Sequence, residues 1–134
     1  MRAEVIRGVI LFAIVAGSAL AYVSKAVAQV VNDAKLHVRE VVSGLNQPTA
    51  MAFIGPGDIL VLQKGDGRVR RVINGVLQTG QVLDVAVDYL SERGLLGIAL
   101  HPNFLTTPSV YLYYTQSNTS ADTSGAPLAN RVYR

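Results

Sequence analysis

Residues 59 to 73 read I-L-V-L-Q-K-G-D-G-R-V-R-R-V-I. Ile59 to Gln63 is a short apolar run, Gly65-Asp66-Gly67 interrupts it, and Arg68 to Ile73 resumes with β-branched residues. Glycine readily takes the positive φ that tight turns need, so Asp-Gly between two such runs predicts an antiparallel hairpin. The same grammar extends in both directions. Upstream, Thr49 to Ile54 ends at the turn-formers Gly55-Pro56-Gly57-Asp58, and Leu36 to Val42 (L-H-V-R-E-V-V) alternates as a strand before the break at Ser43 to Pro48. Downstream, Asn74-Gly75 is a second hairpin-type turn. Runs at Val82 to Val87, Leu95 to Leu100 and Val110 to Thr115 follow it. Asn118 to Pro127 is a polar loop, and Asn130 to Arg134 opens a further strand without a partner in the sequence.

No helical period persists after the first thirty or so residues. Short strands at close spacing with turn chemistry between them mean an all-β chain, a sandwich or a propeller. One grouping favours the propeller. The runs at Thr49, Ile59, Arg68 and Val82 are four consecutive strands, the content of one blade, and those at Leu95, Val110 and Asn130 begin a second. A blade needs neighbours to bury its faces, so the expectation is about one and a half blades of a larger propeller.

The N-terminus reads differently. Arg2 and Arg7 flank an apolar stretch from Gly8 to Val23, and Ala26-Val27-Ala28 follows. A basic start, an apolar centre and a small-x-small end predict a helical signal peptide over residues 1–28, cleaved after Ala28. The apolar run is shorter than the roughly 20 residues of a membrane span, so contact with a membrane is expected only if the segment is retained. The expected organisation is a signal peptide at 1–28, a linker at 29–37 and a β-domain at 38–134, exported to the periplasm or the medium. Without residues 1–28 the chain has nine basic and eight acidic residues, a net charge of +1 instead of +3. The basic balance thus belongs largely to the export signal, and no nucleic-acid partner is expected. The chain has no cysteine, so neither disulfides nor thiolate metal sites are available.

Several residues invite a chemical reading and have a plainer one beside it. His101 ends the run Gly94 to Leu100 and is followed by Pro102, which cannot donate to a ladder. A lone histidine there packs under the turn with its nitrogens bonded to backbone, since a catalytic base needs positioned company. Arg68, Arg70 and Arg71 point to both faces of one strand and read as a solvated blade edge. Tyr111 and Tyr113 share a face and read as interblade packing more than as a sugar-stacking platform. Asp84, Asp88 and Glu92 lack the tight spacing of a calcium loop and read as solvated turns. Asn118-Thr119-Ser120 has the form of an N-glycosylation acceptor.

Four segments together resemble a known family. They are Leu45 to Phe53 (L-N-Q-P-T-A-M-A-F), Asp66 to Val72 (D-G-R-V-R-R-V), Glu92 to Phe104 (E-R-G-L-L-G-I-A-L-H-P-N-F) and Val110 to Thr115 (V-Y-L-Y-Y-T). They are similar to the soluble, pyrroloquinoline quinone (PQQ)-dependent glucose/sorbosone dehydrogenases, six-bladed β-propellers of the periplasm. The likeness runs from about Val38 to Arg134, with Asn103 where an aspartate is frequent. It implies PQQ and calcium as cofactors, a sugar substrate and an electron acceptor. It also implies a catalytic histidine, quinone-binding basic residues and calcium ligands in later blades, so none is expected before Arg134. His101 then matches the family's structural His-Pro corner. One pocket position falls inside the chain, a glutamine facing substrate and quinone, and by register it corresponds to Glu92 with Arg93 beside it. A carboxylate there keeps an acceptor and loses the amide donors, which points away from glucose-type recognition and is compatible with another polyol or aldose. The expectation is the N-terminal part of a quinone-dependent sugar dehydrogenase, inactive as these residues alone. The alternative is an exported propeller that binds carbohydrate or protein without catalysis.

Overall fold

The computed structural model describes residues 31–134, so the expected signal helix over 1–28 and its cleavage point lie outside the described residues. The chain divides into two compact units, up to Val38 and from Arg39 to Arg134. In the first, the described residues make a turn in which the Lys35 and Leu36 N–H groups donate to Oδ1 and the carbonyl of Asp33. The strand expected over Leu36 to Val42 is not formed. Alternation specifies a strand only where one face is covered, and Leu36, Val38 and Val41 are all exposed.

The second unit is all-β and antiparallel, with no helix among the described residues. Its strands are β1 (Pro48–Gly55), β2 (Asp58–Gln63), β3 (Arg68–Ile73), β4 (Val76–Leu77), β5 (Leu83–Asp84), β6 (Leu95–Leu100), β7 (Val110–Ser117) and β8 (Pro127–Tyr133). The first sheet runs β1-β2-β3, with β4 and β5 both along the outer edge of β3. Asn74 and Gly75 both have positive φ, 50° and 81°, the requirement of the tight hairpin turn read from Asn-Gly. The fourth strand, expected over Val82 to Val87, is instead interrupted. The Gln78 and Val82 N–H groups donate to the carbonyls of Arg71 and Val69, so the chain keeps to the β3 edge on both sides of Thr79 to Gln81, which loop out.

The second sheet runs β6-β7-β8. Here the structure corrects the expectation of an unpaired stub at Asn130. The strand begins at Pro127 and pairs with β7 from Leu112 to Ser117, because Asn118 to Ala126 folds back far enough to return the chain alongside. Tyr114 and Tyr133 stack across this pair with ring centroids 5.3 Å apart. Between the two sheets lies the core: Leu60, Leu62 and Val69 from the first meet Val87, Leu95, Leu112 and Tyr114 from the second. Leu62 is opposite Val69 and Leu95 opposite Tyr114, so cross-strand pairs supply the packing.

Antiparallel order gives each sheet two ends. The Gln63 end carries the segment before β1, the β2–β3 turn, the chain entering β6 and the β7–β8 loop. The other end carries the β1–β2 and β3–β4 turns and the β6–β7 loop with His101. The two sheets are tied at the Gln63 end, where Leu95 N–H donates to Lys64 O and Thr49 Oγ1 to Leu95 O.

Candidate functional site

The chain entering β6 is built around Thr115 of β7. Asp88 N–H donates to the carbonyl of Thr115, and Thr115 N–H donates to the carbonyl of Gly94. Val87 also bridges to Gln116, so residues 86–88 lie along β7 in line with β6. Tyr89 to Arg93 are therefore expelled as a five-residue loop whose two ends are pinned at one residue. Gly94 closes the loop with φ of 135°, and a Cβ there would run into the carbonyl of Lys64.

Asp88 anchors the loop. It is fully buried, and its Oδ2 accepts from the N–H groups of Gly125 and Ala126, both at 2.6 Å, and from Thr123 Oγ1 at 3.1 Å. Its Oδ1 lies 2.9 Å from Arg93 Nε, close enough for an ion pair but without hydrogen-bond alignment; that N–H donates to the carbonyl of Leu90 instead. Burial by itself would raise the Asp88 pKa. The Ala126 and Gly125 N–H groups, the Thr123 hydroxyl and the Arg93 charge outweigh it and hold the carboxyl below its ordinary value. The sequence reading of Asp88 as a solvated turn residue is thus corrected, because the hydrogen-bond donors to its carboxylate come from residues more than thirty positions away. Lys64 holds the loop from the other side, donating from Nζ to the carbonyls of Ser91 and Tyr89.

Of the two residues singled out in this loop, Glu92 is exposed and has no ion-pair partner among the described residues. Arg93 is half-buried and held through Nε, while its two terminal nitrogens make no hydrogen bond to any described residue. The loop thus fixes its own backbone and leaves one carboxylate and one guanidinium edge without a partner among the described residues. Asp84 is not part of this arrangement; it faces Arg68 Nε at 3.4 Å.

His101 follows the far end of β6, nine positions from Glu92 and separated from its loop by the six residues, about 20 Å, of that strand. Its Nδ1 accepts from Asn103 N–H at 3.1 Å and its backbone N–H donates to Ser109 O, so the residue braces the turn as the sequence suggests. It borders an apolar groove of about 780 Å3 with Phe53, Ile54, Phe104 and Leu105. The arginines of β3 are corrected too. β3 is an interior strand, not an edge, and each arginine is committed: Arg68 to Asp66 and Asp84, Arg70 to Gln63 and the carbonyl of Gln78, Arg71 to Asp58. The two Arg71–Asp58 bonds, 2.9 and 2.6 Å, lower the Asp58 pKa and raise that of Arg71. Among the described residues no three His, Asp or Glu side chains converge as metal ligands.

Two antiparallel sheets packed face to face, each with its first strand beside the other's, have the arrangement of adjacent β-propeller blades. Comparison with known proteins gives the family. The model of the glucose/sorbosone dehydrogenases matches residues 45–133, and the chain belongs to that family. It is 29% identical over 97 residues to the quinoprotein glucose dehydrogenase B of Acinetobacter calcoaceticus, covering 70% of this chain and 20% of that protein. A hedgehog-interacting protein of Mus musculus is 35% identical over 89 residues, 60% of this chain and 13% of its own length. Among solved structures, a putative oxidoreductase (glucose dehydrogenase) of Thermus thermophilus superposes with a TM-score of 0.57 at 37% identity, over 70% of this chain and 25% of that one. The chain therefore spans a quarter or less of the length of these relatives.

Proposed function

We propose that this chain supplies about the first one and a half blades of a six-bladed, PQQ-dependent sugar dehydrogenase that is exported, with residues 1–28 removed in the process. The family match across the whole β-domain carries the reading. The loop at Tyr89 to Arg93 agrees with it, since it presents Glu92 and the Arg93 terminal nitrogens at one end of the sheets. Oxidation of a sugar hydroxyl to a carbonyl removes two electrons and two protons; PQQ, when bound, supplies the acceptor for that chemistry. In this reading Glu92 accepts hydrogen bonds from sugar hydroxyls, and Arg93 donates to a carbonyl or carboxylate oxygen of the sugar or the quinone. In this reading calcium and the proton-abstracting base are held by residues of later blades, as in the family it resembles.

The test is dye-linked oxidation of aldoses by the full-length protein supplied with PQQ and calcium. Glu92→Gln should change the ranking of sugars by kcat/KM by about tenfold, the size of one polar contact of about 1.4 kcal/mol. His101→Ala should leave kcat within about twofold, because a brace does not touch the reacting atoms. A protein that oxidises no aldose under these conditions overturns the reading. It would favour the second one, a propeller that binds saccharide or protein without oxidising it; one similar protein is named for an interaction with another protein.

A further inference from the structure

At the Gln63 end, beside the Glu92 loop, Asn46, Gln47, Gly65, Tyr89 and Asp122 line an open cleft of about 370 Å3. That is within the range of small-molecule pockets, roughly 300–1,000 Å3. Four separate segments meet here, and each is fixed through groups that do not face a ligand. Gln47 is held by its carbonyl, which accepts from Lys64 N–H, and Tyr89 by its N–H, which donates to Thr123 O. Asp122 Oδ1 accepts from Val87 N–H at 3.0 Å, and Asn46 donates from its amide to Asp66. What remains uncommitted to described residues is the Tyr89 hydroxyl, the Gln47 side-chain amide, Asn46 Oδ1 and Asp122 Oδ2. Gly65 forms part of the wall beside the Gln47 amide, where a Cβ would stand 2.8 Å from Gln47 Oε1.

The chemistry of this set selects a ligand class. Two amides, one phenol and one carboxylate offer both donors and acceptors, the requirement for hydroxyl groups that do both. No cation lines the cleft to hold an anion; the neighbouring Lys64 ammonium is committed to the carbonyls of Tyr89 and Ser91. A single carboxylate is too few oxygens for a bound divalent cation, which takes six or more. An aromatic ring, 39% exposed on Tyr89, offers a face for C–H groups.

We propose that this cleft is a binding site for a neutral, polyhydroxylated ligand, a saccharide unit, held by Asn46, Gln47, Tyr89 and Asp122. Tyr89 and Glu92 are three residues apart in one loop, within about 10 Å of backbone, so the cleft and the Glu92 position lie next to each other. The inference rests on the sugar reading above for the choice of saccharide, but binding in the cleft does not require oxidation.

Isothermal titration of the full-length protein with maltose, without quinone, tests it. Tyr89→Ala and, separately, Asp122→Asn should weaken maltose binding by about fivefold or more, and inorganic phosphate should give no heat of binding. Asp122→Asn keeps the Oδ1 acceptor for Val87, so the loop stays in place; should either variant fail to fold, Tyr89→Phe retains the ring and should still weaken binding by about twofold. Maltose affinity unchanged in Tyr89→Ala overturns the proposal, as does phosphate binding that Asp122→Asn leaves intact. A protein that binds maltose through Tyr89 but oxidises no aldose keeps this site and loses the dehydrogenase reading. One that oxidises aldoses with maltose binding indifferent to Tyr89 loses only this site.

Discussion

The Asp88 side chain gathers four groups at the Gln63 end. Two backbone N–H groups, one hydroxyl and one guanidinium converge on a carboxylate with no solvent exposure. Removing the charge leaves Arg93 half-buried beside an amide and turns charge-assisted bonds into ordinary ones. Asp88→Asn should therefore lower the thermal midpoint of the full-length protein by roughly 5–10 °C, measured by calorimetry. The pH dependence follows from the direction of the shift. A carboxyl whose folded pKa lies below its unfolded value contributes stability above the unfolded value, near 3.9, and loses it as pH falls through the folded one. Acid titration below about pH 4 should thus show a steeper loss of stability in the parent than in Asp88→Asn. Parallel curves would mean that Asp88 is not the carboxyl whose protonation matters.

At the scale of elements, the deciding device is the loop pinned at Thr115. β6 needs its N-terminal half to pair with β7 while five residues leave and re-enter the same line, and Gly94 makes the return possible with a φ that side-chain-bearing residues rarely adopt. Gly94→Ala should destabilise the full-length protein by about 2 kcal/mol or more, since it adds both φ strain and a clash with the Lys64 carbonyl, which also accepts the Leu95 N–H. Chemical denaturation reads this directly. A cost below about 0.5 kcal/mol would show that the loop rearranges freely and that its pinning is not what presents Glu92. The Asp-Gly and Asn-Gly turns, by contrast, act locally, which is why the β2–β3 and β3–β4 connections follow from four or five residues of sequence.

At the scale of the whole molecule, both sheets keep large apolar side chains in solvent. Met51 and Phe53 of β1 are 60% and 62% exposed, and Val132 of β8 is 67% exposed. Exposed apolar side chains on open sheet edges are what neighbouring blades cover in a propeller. Residues 29–134 expressed alone should therefore self-associate at micromolar concentration in sedimentation or light scattering, while the full-length protein stays monodisperse. A monomeric 29–134 segment with a sharp cooperative melt would show that these sheets need no covering, and with it the multi-blade reading falls. N-terminal sequencing of the exported product should find Gln29 first; a product beginning at Met1 removes the signal-peptide part of the proposal.

By itself the sequence determined whatever depends on neighbours along the chain. Turn residues placed β1, β2, β3, β6 and β7, because glycine and asparagine act within a few positions, and the Pro102 corner placed His101 at a strand end with its ring bonded to nearby backbone. The run of motifs from Leu45 to Thr115 carried the family. What the tertiary structure alone decided are the pairings between distant segments. Whether Asp88 is solvated or buried depends on Thr123 to Ala126 arriving beside it, and whether β3 is an edge depends on Val76 to Asp84 lying along it. Likewise Asn46, Gln47, Tyr89 and Asp122 share a cleft although up to 76 positions separate them in the chain. Local propensity acts over a turn or two of chain, whereas burial and cross-strand hydrogen bonding are set by which segments the fold brings together.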